Sequence, residues 1–421
     1  MTTQLYVMAD PRALKALYKR SDDEMTTEQK KVMKGFPPPL EYVATRANHH
    51  RQPFSSWSFR NMSRLLPSEP IFCSGGEPEL LTAKYTELEK LEFKSACGEK
   101  FSINQHLLAT RTNGLIVIRN GIVLYERYFS GMTTNDRHAW FSACQTLIGI
   151  LAEELIFRDV LNPEMPVGLI IPALNGSAYE HATVRHLLDM SVGVRYDEDY
   201  SDVNSDSAKY MYITGIRETP ANYTVPKSLC EYLRSLKPER EHGGFFQYVS
   251  ANCEALSWVL EVITGERFAQ LISNLWKKLR CEGDAYYVTD GWGRSAAAGG
   301  FCSTLNDMGR LGQLLVNNGR VGNRQIIPEK VFSNIFAGGD PSIFSRQTDY
   351  NTWSPGASYK SLNYVFDTDT VMASGIHGQY LFVDQKTNTV IAKLSSSEDP
   401  VSLLDVDTVR LLRFISRTWA G

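Results

Sequence analysis

The sequence predicts an α/β (α+β) protein in which a mixed antiparallel sheet, built from both ends of the chain, is flanked by helices. Two β-rich runs flank a turn at 114–129, further β-rich runs follow within 370–394, and helical periodicity dominates between them. We expect a sheet-plus-helix domain of residues 1–160 and 300–421. A mostly helical domain of residues 161–299 would be inserted in it and form the other wall of a cleft, the default place for a site.

The strand predictions rest on turn chemistry and β-branched residues. Asn120 and Gly121 separate the two runs within 114–129, and both can adopt the positive φ of a two-residue hairpin turn. Residues 1–110, which are polar and contain several prolines, are predicted to be irregular. The late strands are expected at 370–376, 380–383 and 390–394.

Apolar residues spaced three and four apart predict the helices. A largely buried helix is expected to begin near Ser142. The remaining predicted helices cover residues 183–189, 251–264, 267–279, 307–315 and 402–418. Gly265, directly after the second of these, is a typical helix end.

Composition and charge narrow the function classes. The chain has 421 residues, 43% of them apolar and 22% charged, which excludes a disordered, collagen-like or coiled-coil protein. A net charge of −3 gives no electrostatic reason to expect nucleic acid or an anionic membrane as a partner. The predicted partner is a small-molecule substrate, and a homodimer is left open.

The chain shows no sign of export, of a membrane span or of a cofactor. No basic segment followed by an apolar run stands at the start, and no apolar window of about 18 residues occurs, so a cytoplasmic location is expected. The seven cysteines lack C-x-x-C spacing and are predicted to be free thiols. Neither a metal nor another cofactor is expected, because no phosphate-binding loop or His-Glu-x-x-His motif is present.

The strongest candidate for chemistry is Ser142, at the start of the predicted helix. A helix N-terminus presents free N–H groups that can stabilise an oxyanion. A residue three positions later lies on the same face and can reach the serine hydroxyl. One class of serine enzymes has Ser-x-x-Lys at this place, but here the residue is Gln145. Ser-x-x-Gln by itself is also a capping box, which needs no catalytic role.

Several further blocks, in one order along the chain, point to a family. They are residues 57–62, 67–71, 141–151, 187–202, 246–252 and 375–379. Together they resemble the serine hydrolases of the β-lactamase and penicillin-binding-protein fold. The similarity is to the branch that contains 6-aminohexanoate-dimer hydrolase and related esterases, and it covers about residues 35–420. The resemblance implies a serine β-lactamase-like fold.

The resemblance also implies roles for individual residues. Ser142 would be the nucleophile, and Tyr248 the general acid/base that passes a proton to the leaving group. Tyr200 matches a loop tyrosine that reaches the substrate amide in amide-hydrolysing members. One oxyanion donor would be the Ser142 N–H, and the other would come from the strand after His377. Candidates for that second donor are Gln379 and Tyr380, and Ser250 of the Tyr-x-Ser motif would contact the substrate.

Gln145 departs from the family pattern and leaves three hypotheses open. A neutral amide can orient a hydroxyl but cannot take up or supply a proton, and general-base help contributes about 10²–10⁴ in rate. The chain could be a serine acyl enzyme, hydrolase or acyltransferase, acting on a small ester, thioester or amide. Alternatively, His377 or another group replaces the base. The third hypothesis is a repurposed member that binds a small molecule or catalyses a reaction without a serine adduct.

Three other features suggest chemistry but have ordinary explanations. Cys144 stands two residues from Ser142, about 200° around the helix, and is expected to pack in the core. Residues 386–388, Lys-Thr-Asn, imitate Lys-Thr-Gly but fall in a predicted hairpin turn. Residues 202–206 resemble the start of a calcium loop, yet the sixth and twelfth positions do not match.

Overall fold

The structure is a computed structural model that describes residues 11–18, 25–73, 81–346 and 355–418. The start of the chain, on which the expectation of no export segment rests, lies outside the described residues up to residue 10. The strands are β1 Ser68–Ile71, β2 Thr82–Ala83, β3 Glu92–Lys94, β4 Lys100–Ser102, β5 Thr112–Arg119, β6 Ile122–Tyr128, β7 His138–Ala139, β8 Ala285–Val288, β9 Phe301–Ser303, β10 Arg320–Val321, β11 Arg324–Gln325, β12 Ser358–Lys360, β13 Asn363–Phe366, β14 Thr370–Gly375, β15 Gln379–Asp384 and β16 Thr389–Ser395.

The α-helices follow the same chain order. They are α1 Pro11–Tyr18, α2 Ser55–Ser58, α3 Met62–Leu65, α4 Ile103–Ala109, α5 Gln145–Phe157, α6 Val167–Ile170, α7 Val184–Leu188, α8 Asp206–Ile213, α9 Leu229–Ser235, α10 Ser250–Thr264, α11 Phe268–Lys278, α12 Leu305–Val316, α13 Glu329–Phe336, α14 Pro341–Phe344 and α15 Leu404–Thr418. Short 3₁₀ helices occur at Gln29–Lys31, Leu40–Tyr42, Phe141–Cys144 and Pro172–Leu174.

A mixed sheet of eight strands forms the main layer of the described part. Its order is β12-β13-β14-β15-β16-β5-β6-β2, and every neighbouring pair is antiparallel except β2 and β6. Strand β16, from late in the chain, pairs with β5 along its whole length, Val390 opposite Ile118 and Ala392 opposite Ile116. This pairing joins the two chain ends, as the sequence predicts. The mixed α/β architecture with a serine β-lactamase-like sheet is confirmed.

Helix α12 packs against this sheet through a glycine. A Cβ on Gly312 would collide with a methyl group of Val390 and come within 3.0 Å of Leu381 Cδ1. Only glycine lets the helix backbone approach strands β15 and β16 this closely. The close packing fixes helix α12 on two central strands of the main sheet.

A second, smaller sheet has the order β1-β8-β9-β7 and is antiparallel throughout. Strand β8 lies within residues 161–299 yet pairs with β1 and β9, which lie outside that range. The stretch predicted to be a helical insertion therefore contributes a strand to a sheet shared with the chain ends. The exact division into two domains stays a prediction.

The predicted elements agree with the observed ones to within a few residues. Asn120 and Gly121 form the hairpin turn with φ of +50° and +76°, and Gly265 ends α10 with φ of +71°. Helices and short strands also occupy part of residues 1–110, where irregular structure was expected. No helix of the described residues is long and apolar enough to cross a membrane.

Candidate active site

The 3₁₀ turn Phe141–Cys144 places Ser142 directly before helix α5. Phe141, the residue before the serine, has the left-handed φ of +45°, a conformation that turns the chain sharply. Ser142 is half-buried, whereas Cys144 is fully buried and its Sγ donates to the carbonyl of Ala297 at 3.3 Å. The prediction that Cys144 packs in the core is confirmed.

The end of strand β14 lies against this turn. A Cβ on Gly375 would collide with the carbonyl of Trp140 and come within 3.1 Å of the Ser142 amide nitrogen. Glycine is therefore required at this contact because no side chain fits between strand and turn. The approach brings Ile376, the next residue, to the cleft beside Ser142.

Gln145 and Tyr248 are joined by a hydrogen bond. The amide nitrogen Nε2 of Gln145 donates to the Tyr248 hydroxyl oxygen at 2.6 Å and to the carbonyl of Ala298 at 3.1 Å. Because a carbonyl can only accept, the Ala298 contact assigns the nitrogen rather than the oxygen of the amide to this position. Gln145 thus orients the Tyr248 hydroxyl, which must accept here and keeps its own proton for donation elsewhere.

Glu254 on helix α10 binds the backbone of Ala298, the residue that Gln145 also contacts. Its carboxyl is fully buried and accepts from the Ala298 N–H at 2.8 Å and from the Tyr210 hydroxyl at 3.0 Å. Burial raises the pKa of Glu254 to about 7, although these hydrogen bonds and Arg294 oppose the shift. The residue connects α10 to the Ala298 segment that Gln145 also contacts.

The Tyr248 hydroxyl is a neutral phenol at physiological pH. Burial raises the pKa of Tyr248 well above its ordinary value of 10, and the neighbouring Tyr200 acts in the same direction. A lysine ammonium at position 145 would oppose this shift, but the neutral amide of Gln145 does not. Tyr248 is therefore suited to donate a proton rather than to act as a phenolate base.

The hydroxyl groups of Tyr200 and Ser250 both donate to the carboxylate of Glu198. The Tyr200 hydroxyl donates to Glu198 Oε1 at 2.6 Å, and the Ser250 hydroxyl donates to the same oxygen at 2.5 Å. The Ser250 N–H, at the first position of α10, donates to Glu198 Oε2 at 3.0 Å. Burial raises the pKa of Glu198, and these three donors oppose the shift. Glu198 therefore holds both predicted contact residues in place.

Two adjoining cavities open beside Ser142. A narrow one of about 20 Å³, room for roughly one water molecule, is lined by Ser142, Tyr200 and Ser250 among others. A wider one of about 270 Å³ lies next to it. Both are lined by Phe141, Tyr200, Met211, Ile216 and Ile376. They thus form one cleft with Ser142 at its narrow end.

The remaining predicted residues lie at different places. His377 lines the wider cavity, and its Nδ1 donates to the carbonyl of Ser397 at 2.8 Å, which leaves Nε2 as the acceptor. Burial lowers the pKa of His377 to about 4, so the ring is neutral at physiological pH. Gln379 and Tyr380 line neither cavity. Gln379 is buried against Ser395, and the Tyr380 hydroxyl donates to Asp405 at 2.8 Å.

The sequence reasoning missed residues that line the cleft. Ile376, in the turn before β15, lines the narrow cavity together with Ser142, whereas Gln379 and Tyr380 do not. Arg51 and Arg217 line the wider cavity and were not singled out. The motif block 375–379 was the available signal for Ile376, but no sequence pattern marks the two arginines.

The two other sequence motifs lie in a turn and in a loop. Residues 386–388 form part of the turn between β15 and β16. Residues 202–205 lie in a loop before α8, which begins at Asp206. The seven cysteines are free, as predicted.

Comparisons with known proteins show the family of the chain. The beta-lactamase family model matches residues 104–413. A 6-aminohexanoate-dimer hydrolase from Paenarthrobacter ureafaciens is 30% identical over 351 residues, 83% of this chain and 87% of that protein. In this chain, the fold and the site place a serine at the start of a helix, beside a mixed sheet. The chain belongs to the beta-lactamase family of hydrolases.

Solved structures share the fold. A Bacillus anthracis protein assigned as a 6-aminohexanoate-dimer hydrolase superposes with a TM-score of 0.82 at 24% identity, covering 91% of this chain and 98% of that one. EstCE1, a hydrolase with promiscuous acyltransferase activity, superposes with a TM-score of 0.56 at 16% identity, covering 72% and 93%. At these identities the likeness concerns the fold.

Proposed function

We propose that the protein is a serine hydrolase of small esters, thioesters or amides, with Ser142 as nucleophile and Tyr248 as general acid/base. The observation that carries the proposal is the position of Ser142 at the narrow end of the cleft, with Tyr248 held by Gln145 from the same helix end. The name of the 30% identical relative, a hydrolase, supports the reaction class.

A neutral tyrosine can serve both proton transfers of the acylation step. The Ser142 oxygen bonds to the substrate carbonyl carbon and passes its proton to the Tyr248 oxygen. The phenol gives its own proton to the leaving group as the bond to that group breaks, so Tyr248 is neutral before and after. In the second step the same exchange runs in reverse. Water attacks the acyl carbon and passes a proton to the Tyr248 oxygen, and the phenol gives its own proton to the Ser142 oxygen as the bond to the acyl group breaks. This relay suits the raised pKa of Tyr248.

Two backbone N–H groups support stabilisation of the oxyanion. Ser142 N lies at the start of the 3₁₀ turn, and Ile376 N lies in the turn that Gly375 brings against it. Neither has a backbone acceptor within the described residues. Preorganised donors of this kind contribute about 3–4 kcal/mol each to transition-state binding.

One observation favours a second candidate function. The group one turn from Ser142 is the amide of Gln145, which cannot act as a base. A family member of this kind could retain the cleft for binding a small molecule or for a reaction without a serine adduct. Acyl transfer to a small nucleophile in place of water is a variant of the first proposal.

Covalent labelling of Ser142 tests the proposal. A fluorophosphonate probe is expected to modify the wild-type protein at the peptide that contains Ser142, and Ser142→Ala should abolish labelling. Ser201→Ala is the matched control, because Ser201 is an exposed serine lining the wider cavity and should not change it. Absence of labelling between about pH 6 and pH 10 would contradict the serine mechanism and favour the second candidate.

A further inference from the structure

The wider cavity is bordered by more positive than negative charge. Arg51 and Arg217 line it, and the only carboxylate among its lining residues is Glu398, which is exposed. Arg217 is half-buried and donates one N–H to the carbonyl of Tyr200 at 3.1 Å. Within the described part of the chain, neither arginine pairs with a carboxylate. The four other guanidinium N–H groups of Arg217 are therefore available to a ligand.

Burial and this positive charge together lower the pKa values of two histidines that line the cavity. Burial is the main cause that lowers the pKa of His50 to about 3 and that of His377 to about 4, and Arg217 acts on both in the same direction. Arg51 also lowers the pKa of His50. Arg217 thus lies near both rings, and no carboxylate pairs with it among the described residues.

Much of the remaining lining is apolar. Phe59, Phe141, Met211 and Ile216 are buried side chains that face this space, and Phe141 and Ile216 continue into the narrow cavity of Ser142. An apolar passage with a guanidinium on its wall matches a hydrocarbon chain that ends in a carboxylate.

We propose that the wider cavity binds the carboxylate end of a substrate whose reacting carbonyl lies at Ser142, with Arg217 as the main specificity-determining residue and Arg51 as the second. This inference rests on the proposed function for the position of the carbonyl. It assigns the substrate class as an ester, thioester or amide of an acyl chain that carries a terminal carboxylate.

Matched esters test the inference. Mono-p-nitrophenyl esters of adipic, pimelic and suberic acid are compared with the esters of the monocarboxylic acids of equal chain length. We expect the wild type to favour the charged series in kcat/KM by about 10- to 100-fold, the range for a charge-assisted hydrogen bond. Arg217→Met should bring the ratio of kcat/KM for the charged ester to kcat/KM for the neutral ester close to 1, and because this ratio is taken within one protein, a loss common to both series cancels. A wild type that hydrolyses the charged esters no faster than the neutral ones overturns the inference.

Variants at other arginines control for the loss of charge and for folding. Arg195→Met removes a charge from an exposed arginine that lines neither cavity, and it should keep the preference. Arg51→Met changes an exposed side chain and should reduce the preference even if Arg217→Met proves unstable. Equal loss in Arg195→Met and Arg217→Met would show a general charge effect and contradict the assignment.

Calorimetric binding of adipate separates this inference from the proposed function. If no ester is hydrolysed, the proposed function fails, but adipate should still bind the wild type about tenfold more tightly than Arg217→Met. Inorganic phosphate should bind more weakly than adipate, because it lacks the hydrocarbon chain. Equal binding of adipate to both proteins, or phosphate binding as tight as that of adipate, overturns the inference.

Discussion

At the residue scale, Gln145 determines which proton chemistry is available. Both N–H groups of its amide are used, one on Tyr248 and one on Ala298. The side chain can therefore hold the phenol in one orientation but cannot remove its proton. Tyr248 stays neutral because burial raises its pKa, and no cation at position 145 opposes that shift.

Replacing this amide with an amine is expected to increase esterase activity. In Gln145→Lys, an ammonium beside Tyr248 lowers the pKa of the phenol, so more of the base form is present. We expect kcat/KM for p-nitrophenyl acetate to rise about 100-fold, with the rising limb of the pH profile displaced to lower pH.

The control for this variant is Gln145→Leu, which has similar bulk and no donor. It should lose activity, because Tyr248 is no longer oriented. If Gln145→Lys folds, is labelled at Ser142 and yet is no faster than the wild type, the missing amine does not limit the reaction.

At the scale of elements, the candidate site depends on the contact between strand β14 and the 3₁₀ turn Phe141–Cys144 that carries Ser142. That contact joins residues far apart in the chain, and it requires Gly375 because the backbone of Trp140 occupies the space of a side chain. The strand itself was predicted from its β-branched composition. Its contact with the turn was not, because a glycine in a strand pattern does not indicate what approaches it.

Gly375→Ala should therefore separate the strand from the turn. We expect at least a 100-fold loss in kcat/KM, because the N–H of Ile376 moves away from the oxyanion position. The measurement is hydrolysis of p-nitrophenyl esters together with the thermal midpoint.

Gly291→Ala is the matched control. The atom nearest to an added Cβ there is 3.9 Å away, so activity and stability should change little. If Gly375→Ala retains wild-type activity, Ile376 does not serve as the second donor.

Elements with strong local patterns were predicted and those without were not. Helices α10 and α12 and the hairpin of β5 and β6 were placed within a few residues, because periodicity and the Asn-Gly turn are local signals. The small sheet was missed, since β7 has two residues and β9 has three and neither shows an alternating pattern. Such short strands exist because neighbouring strands pair with them.

At the scale of the whole molecule, a buried carboxyl group makes the free energy of unfolding depend on pH. This group is Glu254, whose pKa is raised to about 7 in the folded state against about 4.3 in an unfolded chain. A raised folded pKa means that its contribution to stability is complete below about pH 4.3. That contribution is lost as the pH rises through about 7, and in full it amounts to about 4 kcal/mol.

Glu254→Gln should remove this pH dependence. Because the amide is neutral at every pH, the variant should gain about 3 kcal/mol in unfolding free energy relative to the wild type between pH 4 and pH 8. Urea unfolding at several pH values measures the difference. Glu241→Gln, at an exposed carboxylate, should show no such trend. A difference between wild type and Glu254→Gln that does not vary with pH would contradict the prediction.

The sequence by itself determined the sheet built from both chain ends, the helical middle and the free thiols, since these follow from local pattern and composition. Resemblance to a family selected Ser142, Gln145 and Tyr248 as site residues. Only the tertiary structure decided that Gln145 and Tyr248 meet, because they are 103 residues apart and their hydrogen bond depends on the packing of α5 and α10. It also brought Ile376, rather than Gln379 or Tyr380, to the cavity that Ser142 lines and placed Arg51 and Arg217 around one cavity. Contacts between distant segments depend on how surfaces fit together, and no spacing along the chain records that fit.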